Sequence, residues 1–259
     1  MPWLMKAEPD SRIVKGKDVK FSVDDFEKLG ISPWDGVRNH EAKKIMKERM
    51  KVGDKVLFYH SNCKTPGVYA IAEIAKEGYP DYTAWDPDHP YFDAKTNKDH
   101  PTWFMVDVKF RQRLSYPPTL SLIKTLASSS ALPSEISYIG RDGLDAIKSM
   151  QLVNRGRLSV QPVENAAFDA IVKLGTQGGW EGLVDSKGKS ISTPIPKPKT
   201  GSSTPQSKKR DAPSAQVEEG VDTIPVKAPV NQKSKRQGSN INTNKNTSGQ
   251  RRSKRIKVV

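Results

Sequence analysis

The segment Lys55-Val56-Leu57-Phe58-Tyr59-His60 is an apolar run of the length of one buried strand, and Val68 to Ile74 is a second such run. The residues between them, Ser61 to Gly67, are polar or turn-forming. Short apolar runs bounded by Gly, Pro, Asn and Ser are typical of strands. The segment therefore predicts a hairpin-like pair of strands joined by a polar loop.

Further strands are predicted before and after this pair of strands. A first strand begins at Trp3 and ends at Lys6 or Ala7, because Pro9 stops it soon afterwards. The segments 103–113 and 157–162 predict two more strands. Residues 79–100 are rich in Pro, Asp, Tyr and Trp without either period, which predicts an ordered loop.

Helices are predicted between and after these strands. Ser22 and Asp25 match a capping box at the start of a short helix. Residues 39–50 form an amphipathic helix of about three turns, because its apolar residues recur every three to four positions. Further helices are predicted over 120–126, 144–150 and 164–174, with a loop over 128–135. Mixed strands with peripheral helices predict an α+β fold built on a barrel-like sheet.

Charge divides the chain into two parts. It has 43 Lys and Arg against 29 Asp and Glu, a net charge of +14. Residues 1–185 carry 26 basic and 25 acidic side chains, whereas residues 186–259 carry 17 and 4. Long-range attraction to polyanions therefore belongs to the C-terminal part, and the near-neutral part must recognise a ligand by shape.

The C-terminal part is predicted to be disordered. Residues 186–259 contain no Trp, Phe, Tyr, Leu or Met, so they cannot bury enough apolar surface to offset the entropy of ordering. We therefore predict a domain over 1–175 and a disordered Lys/Arg/Ser/Pro-rich tail over 176–259. Three basic clusters in the tail predict nuclear localisation signals read by an import receptor, with nucleic-acid contact or simple solubility as alternatives. The cluster residues are Lys208, Lys209, Arg210, Lys233, Lys235, Arg236, Arg251, Arg252, Lys254, Arg255 and Lys257.

Several classes of protein are not expected. No apolar run approaches the ~20 residues of a membrane span, so we expect a soluble protein. Its single cysteine, Cys63, cannot form an internal disulfide, which favours the cytosol or nucleus. No phosphate-binding loop, dinucleotide fingerprint or zinc spacing is present, so neither a cofactor nor a metal is predicted.

The hexapeptide Trp34-Asp35-Gly36-Val37-Arg38-Asn39 concentrates the groups that could hold a planar ligand. An aromatic face stacks on a nucleobase for about 1 to 3 kcal/mol. Carboxylate, guanidinium and carboxamide groups can read the edge of a base through paired donors and acceptors. A structural turn with a core tryptophan is the alternative, because Asp-Gly is a common turn dipeptide.

Seven motifs together resemble the EVE domain family, specifically its thymocyte nuclear protein group. They lie in the family order between residues 2 and 174: Trp3-Leu4-Met5-Lys6-Ala7-Glu8-Pro9, Trp34 to Asn39, Phe58-Tyr59-His60-Ser61, Pro66-Gly67, Tyr79-Pro80-Asp81, Trp103 with Val106-Asp107-Val108, and Arg157 to Pro162. The resemblance implies a PUA-like fold, a mixed β-barrel with peripheral helices, related to YTH and ASCH domains. Ala7 stands where the family often has Ser, and residues 128–154 are longer than in animal relatives.

The resemblance also implies a function, the binding of modified bases of nucleic acids in the nucleus. Modified cytosine in DNA is the favoured ligand, and RNA remains an open alternative as the polymer. On this hypothesis Trp34 and Trp103 are the aromatic walls, and Arg38, His60 and Lys6 meet sugar or phosphate. The other pocket residues are Ala7, Glu8, Asp35, Asn39, Tyr59 and Ser61. The alternatives are an enzyme that acts on a modified base, with His60 and Asp35 as its acid/base pair, and a nuclear interaction protein with a vestigial pocket. A protein without catalytic activity is the favoured reading.

Overall fold

The computed structural model describes residues 1–184; residues 185–259 of the predicted tail, with its localisation signals, lie outside the described residues, whereas residues 176–184, also assigned to the tail, continue the folded domain. The strands are β1 (Trp3–Ala7), β2 (Ile13–Val14), β3 (Lys17–Asp18), β4 (Ile31–Pro33), β5 (Lys55–His60), β6 (Gly67–Pro80), β7 (Phe104–Arg113) and β8 (Val160–Pro162). The α-helices are α1 (Val23–Leu29), α2 (His40–Glu48), α3 (Leu120–Ser128), α4 (Gly140–Ser149), α5 (Gln151–Asn154) and α6 (Asn165–Gln177). Short 3-10 helices lie at Tyr82–Trp85, Ser134–Ile139 and Glu181–Leu183. The predicted α+β class is confirmed.

Six strands form one mixed sheet in the order β4-β7-β6-β5-β1-β8. Strands β1 and β5 are parallel, with Trp3 opposite Val56, and the other neighbouring pairs are antiparallel. The predicted β5–β6 pair is confirmed. Strands β2 and β3 form a separate two-stranded hairpin, which stands beside the end of β1.

The two faces of the sheet carry separate apolar cores, because successive strand residues point to opposite faces. Met5 and Phe58 pack on one face with residues of α1 and α2, including Phe26. Leu4 and Leu57 pack on the other face with residues of α3, α4 and α6. The helical layers therefore cover both faces, and the first face carries the cleft described below.

Local sequence signals explain the helices next to that cleft. Ser22 Oγ accepts a hydrogen bond from the Asp25 backbone N–H at 3.2 Å, and the Asp25 carboxylate accepts one from the Ser22 N–H at 2.9 Å. This confirms the predicted capping box. Helix α2 lies so close to β6 that a Cβ added at Gly78 would lie 2.7 Å from the Lys47 backbone.

Several elements differ from the prediction: β2, β3 and α5 were not predicted, and α4 begins at Gly140 instead of residue 144. Strand β4 was not predicted, and β6 continues past Ile74 to Pro80. Helix α6 continues past residue 175, and Trp180 beyond it is buried. None of the helices within residues 1–184 is long and apolar enough to cross a membrane.

Candidate functional site

A cleft of about 470 Å³ opens beside the C-terminal end of β1. Its walls come from four segments of the sequence: the end of β1 (6–8), the β2–β3 hairpin with its neighbouring residues (12–21), β4 with the loop after it (32–38), and the turn at 89–91. Ser159 completes the lining from the residue before β8. A volume of this size falls in the range of pockets that hold small ligands.

Three aromatic side chains line the cleft: Phe21, Trp34 and Tyr91. The rings of Phe21 and Trp34 meet edge to face, with centroids 6.1 Å apart at 81°. Trp34 also packs edge-on against Phe58 at 6.0 Å, and only 7% of its surface is exposed. The indole is therefore anchored in the apolar core and presents a small part of its surface to the cleft.

A buried carboxylate fixes the loop that carries Trp34. Asp81 is fully buried, and its Oδ2 accepts hydrogen bonds from the Gly36 backbone N–H at 3.1 Å and from Arg38 Nη1 at 2.7 Å. Arg38 Nε donates to the Tyr91 carbonyl oxygen at 2.7 Å. One guanidinium thus joins the loop after β4 to the turn at 89–91 and to the end of β6.

Close packing also holds the loop against the opposite wall. Gly36 has a positive φ of 69°, and a Cβ at this position would lie 2.6 Å from the Tyr91 ring. Only glycine tolerates both the backbone conformation and the approach of the ring. Gly36 is therefore a structural requirement of the cleft.

Asp35 is the carboxyl group whose acidity the cleft changes. Burial, followed by repulsion from the Asp81 carboxylate, raises the pKa of Asp35. His89 opposes this change, since its Nε2 lies 3.8 Å from Asp35 Oδ2. Asp35 is thus harder to ionise than an exposed aspartate.

The structure brings six of the predicted pocket residues to the cleft. They are Lys6, Ala7, Glu8, Trp34, Asp35 and Arg38. The Lys6 ammonium is already engaged, because its Nζ donates to the Gly156 carbonyl oxygen at 2.7 Å and lies 5.7 Å from the centre of the Tyr59 ring. Burial lowers the pKa of Lys6 to about 8. Lys6 is therefore tied to the backbone at Gly156, outside the cleft lining.

The other five predicted residues lie away from the cleft lining, which corrects their placement. Asn39 caps α2 by accepting from the Ala42 N–H at 3.0 Å, and Ser61 Oγ donates to the Ala7 carbonyl at 3.1 Å. Trp103 is buried and its indole N–H donates to Asp93 at 2.7 Å, so it is not a wall of the cleft. Tyr59 belongs to the core on the opposite face of the sheet.

His60, the fifth of these residues, is a buried structural acceptor. Its Nε2 accepts a hydrogen bond from the Val23 backbone N–H at 3.0 Å, and its ring stacks on Tyr69 with centroids 4.0 Å apart. The histidine beside Asp35 is His89 instead. Within residues 1–184, no group of three His, Cys, Asp or Glu side chains is arranged to hold a metal ion.

Sequence reasoning missed the residues that come from separate segments. Phe21, Tyr91 and His89 line the cleft from loops without a periodic pattern, and Asp81 anchors the cleft from outside its lining. The Tyr79-Pro80-Asp81 motif is the one signal that pointed to Asp81. The missed cations are Arg12, Lys17 and Lys20.

The buried state of His60 leads to a pH-dependent stability. Burial lowers the pKa of His60 from 6.5 to about 4. Between these values the unfolded chain binds a proton that the folded chain does not, so the free energy of unfolding falls as pH drops from about 6.5 towards 4, by on the order of 2 kcal/mol. His60→Gln keeps a hydrogen-bond acceptor that does not titrate. We expect the chemical denaturation midpoint of this variant to change less between pH 5 and 6.5 than that of the wild type. A wild-type curve parallel to that of the variant would contradict the assignment.

The chain is similar in sequence and in fold to known proteins. The sequence pattern described as "EVE domain" matches residues 2–174. Thymocyte nuclear protein 1 of chicken (Gallus gallus) is 40% identical over 174 residues, which cover 66% of this chain and 67% of that protein. The crystal structure of human THYN1 protein in complex with 5-methylcytosine containing DNA is 38% identical with a TM-score of 0.58, and covers 67% of this chain and 96% of that chain. The DUF55 domain of human thymocyte nuclear protein 1 is also 38% identical, with a TM-score of 0.59 and coverage of 68% and 98%.

Proposed function

This chain belongs to the EVE domain family, and we propose that its cleft binds a modified base of a nucleic acid, with modified cytosine in DNA as the favoured ligand. The observation that carries the proposal is the meeting of an aromatic wall and a carboxyl group of raised pKa in one cleft of small-ligand size. A human relative has been crystallised with DNA that contains 5-methylcytosine. That relative supports DNA as the polymer.

The aromatic wall supplies the affinity in this proposal. Phe21, Trp34 and Tyr91 contribute ring surface to the lining of the cleft. Stacking of one base on one ring contributes about 1 to 3 kcal/mol. Extracting a base from a duplex costs a few kcal/mol. We therefore propose that the base enters from a single strand, or from a duplex position that is already weakened.

Asp35 supplies the selection for cytosine. The exocyclic amino group of cytosine is a donor, which an aspartate accepts. The ring nitrogen beside it is an acceptor, which a carboxyl group can satisfy only when it is protonated. One protonated carboxyl group would match both edge atoms, and burial, which raises the pKa of Asp35, favours uptake of that proton. Ala7, Val19 and Pro33 line the same cleft and offer apolar surface to a methyl substituent.

The tail has a separate role in the proposal. Its basic clusters would act as nuclear localisation signals and add salt-sensitive attraction to phosphates. The relatives carry the name thymocyte nuclear protein, which supports the nucleus as the location. The partners proposed are therefore a nucleic acid and a nuclear import receptor.

Binding measurements on residues 1–184 test the base reader directly, because removal of the tail removes its unselective charge. Oligonucleotides with one 5-methylcytosine or one cytosine at the same position are titrated at fixed salt, as single strands and as duplexes, with tryptophan fluorescence as the signal. We expect tighter binding of the methylated strand. Equal affinity for both bases would overturn the proposal.

Substitutions at Asp35 test the role of its carboxyl group. Asp35→Ala is expected to weaken binding of the methylated strand about tenfold or more, because a hydrogen bond to a charged group contributes about 1.5 to 3 kcal/mol. Asp35→Asn offers one donor and one acceptor and is expected to retain most of the affinity. Asp99→Ala removes an exposed carboxylate outside the cleft lining and serves as the control. An Asp35→Ala variant that binds like this control would exclude Asp35 from base recognition.

A catalytic function is the second candidate, because Asp35 and His89 form a possible acid/base pair in the cleft, 3.8 Å apart. Incubation of the same methylated oligonucleotides followed by nucleoside analysis separates the two functions. We expect the oligonucleotide to be recovered unchanged. A product whose formation is abolished by His89→Gln would assign catalysis instead.

A further inference from the structure

Helix α2 presents two lysines on a face that carries no acid. Lys43 and Lys47 are one helical turn apart, so they lie on the same side of the helix. Glu41 and Glu48 are seven residues apart and share a different side of it. Neither lysine forms an ion pair with any residue in the described part of the chain, whereas Glu41 is held by Arg155. The face therefore carries uncompensated positive charge.

Aromatic rings lie next to these lysines and connect them to the wall of the cleft. The Lys43 ammonium lies 5.6 Å from the centre of the Trp103 ring, and the Arg38 guanidinium lies 5.5 Å from the same ring. The Lys47 ammonium lies 4.2 Å from the centre of the next ring, Phe104. Arg38 lines the cleft, so Lys43 shares an aromatic ring with a residue of the cleft wall, and Lys47 follows one turn further along α2. The rings hold the ammonium groups in place while leaving them without an anionic partner.

We propose that Lys43 and Lys47 bind phosphate groups of the nucleic-acid strand that flanks the base in the cleft. The inference rests on the proposed function, since it needs a strand whose base lies beside Arg38. Two side chains about 5–6 Å apart at Cβ can reach neighbouring phosphates of one strand. Phosphate contacts fix the register of a protein on a strand but do not read its bases. In a near-neutral domain, such a local pair sets which way the strand leaves the cleft.

The salt dependence of binding by the full chain tests this surface. Each phosphate contact contributes about 0.7 to the slope of log affinity against log salt for a single strand, and about 0.9 for B-DNA. We expect Lys43→Gln combined with Lys47→Gln to reduce the slope by about 1.4 to 1.8 and to weaken binding at low salt. The affinity ratio between methylated and unmethylated strands should stay at the wild-type value. Single-stranded DNA and RNA of one sequence are measured in parallel, and a similar change in slope is expected for both.

Two control pairs separate phosphate binding from packing. Lys28→Gln with Lys124→Gln removes two exposed lysines from α1 and α3 and should leave the slope at the wild-type value. Lys43→Arg with Lys47→Arg keeps both charges and should restore binding. An α2 double variant with the wild-type slope, or with the same loss as the α1 and α3 pair, would overturn the inference. Equal affinity of the wild-type chain for methylated and unmethylated strands would instead overturn the proposed function. The slope test would remain valid in that case.

Discussion

Replacing Asp81 by alanine is expected to lower the free energy of unfolding by about 3 to 5 kcal/mol, the cost of removing one partner of a buried ion pair. Asp81 is fully buried, and Arg38 Nη1 donates to it at 2.7 Å. The substitution also leaves the Gly36 N–H without its acceptor, and Thr83 loses two hydrogen bonds to the other carboxylate oxygen. Chemical denaturation of residues 1–184 measures the effect, with Asp99→Ala as a surface control.

A double-mutant cycle identifies how much of this loss belongs to the ion pair. If Asp81 acts through Arg38, the combination of Asp81→Ala with Arg38→Met should be less destabilised than the two single losses added together. Additive losses would show that the hydrogen bonds to Gly36 and Thr83 carry the effect instead. Asp81 is a positioning residue, since it does not line the cleft. Its replacement should therefore weaken base binding by releasing the loop 34–38, even where the variant remains fully folded.

Local signals in the sequence predicted those parts of the fold that depend on neighbouring residues. The capping box at Ser22 and Asp25 involves positions three apart, and the strand pair β5–β6 is joined by a short loop, so both could be predicted. Strand β4 is three residues long, ends in proline and pairs with β7 far along the chain. Its pairing depends on a contact that no local pattern encodes.

The candidate site shows the same division between local and distant contacts. Trp34 and Asp35 were predicted because they lie in one hexapeptide. Tyr91 and Asp81 could not be placed, because their meeting with the hexapeptide depends on the length and course of β6 and the turn after it. Tyr59 could have been excluded from the cleft by strand alternation, since it points to the opposite face from Phe58.

Trp34 gives the largest expected effect on binding, and its position makes stability the competing explanation. Its side chain is 7% exposed and packs edge-on against Phe21 and Phe58. Trp34→Ala should therefore lower the free energy of unfolding by about 3 to 5 kcal/mol. It should also remove a stacking contact of about 1 to 3 kcal/mol, which corresponds to roughly 5- to 150-fold weaker binding of the methylated strand.

Two further variants separate stacking from stability. Phe168→Ala creates a comparable cavity in the core on the opposite face of the sheet, so it should cost similar stability and leave the affinity of the folded protein unchanged. Trp34→Phe keeps an aromatic surface at the cleft and should retain most of the affinity. Affinities are measured below the unfolding transition of every variant and corrected for the folded fraction. If Phe168→Ala weakens binding as much as Trp34→Ala, the indole supports the fold alone, and the wall of the cleft that binds the base must be Phe21 or Tyr91.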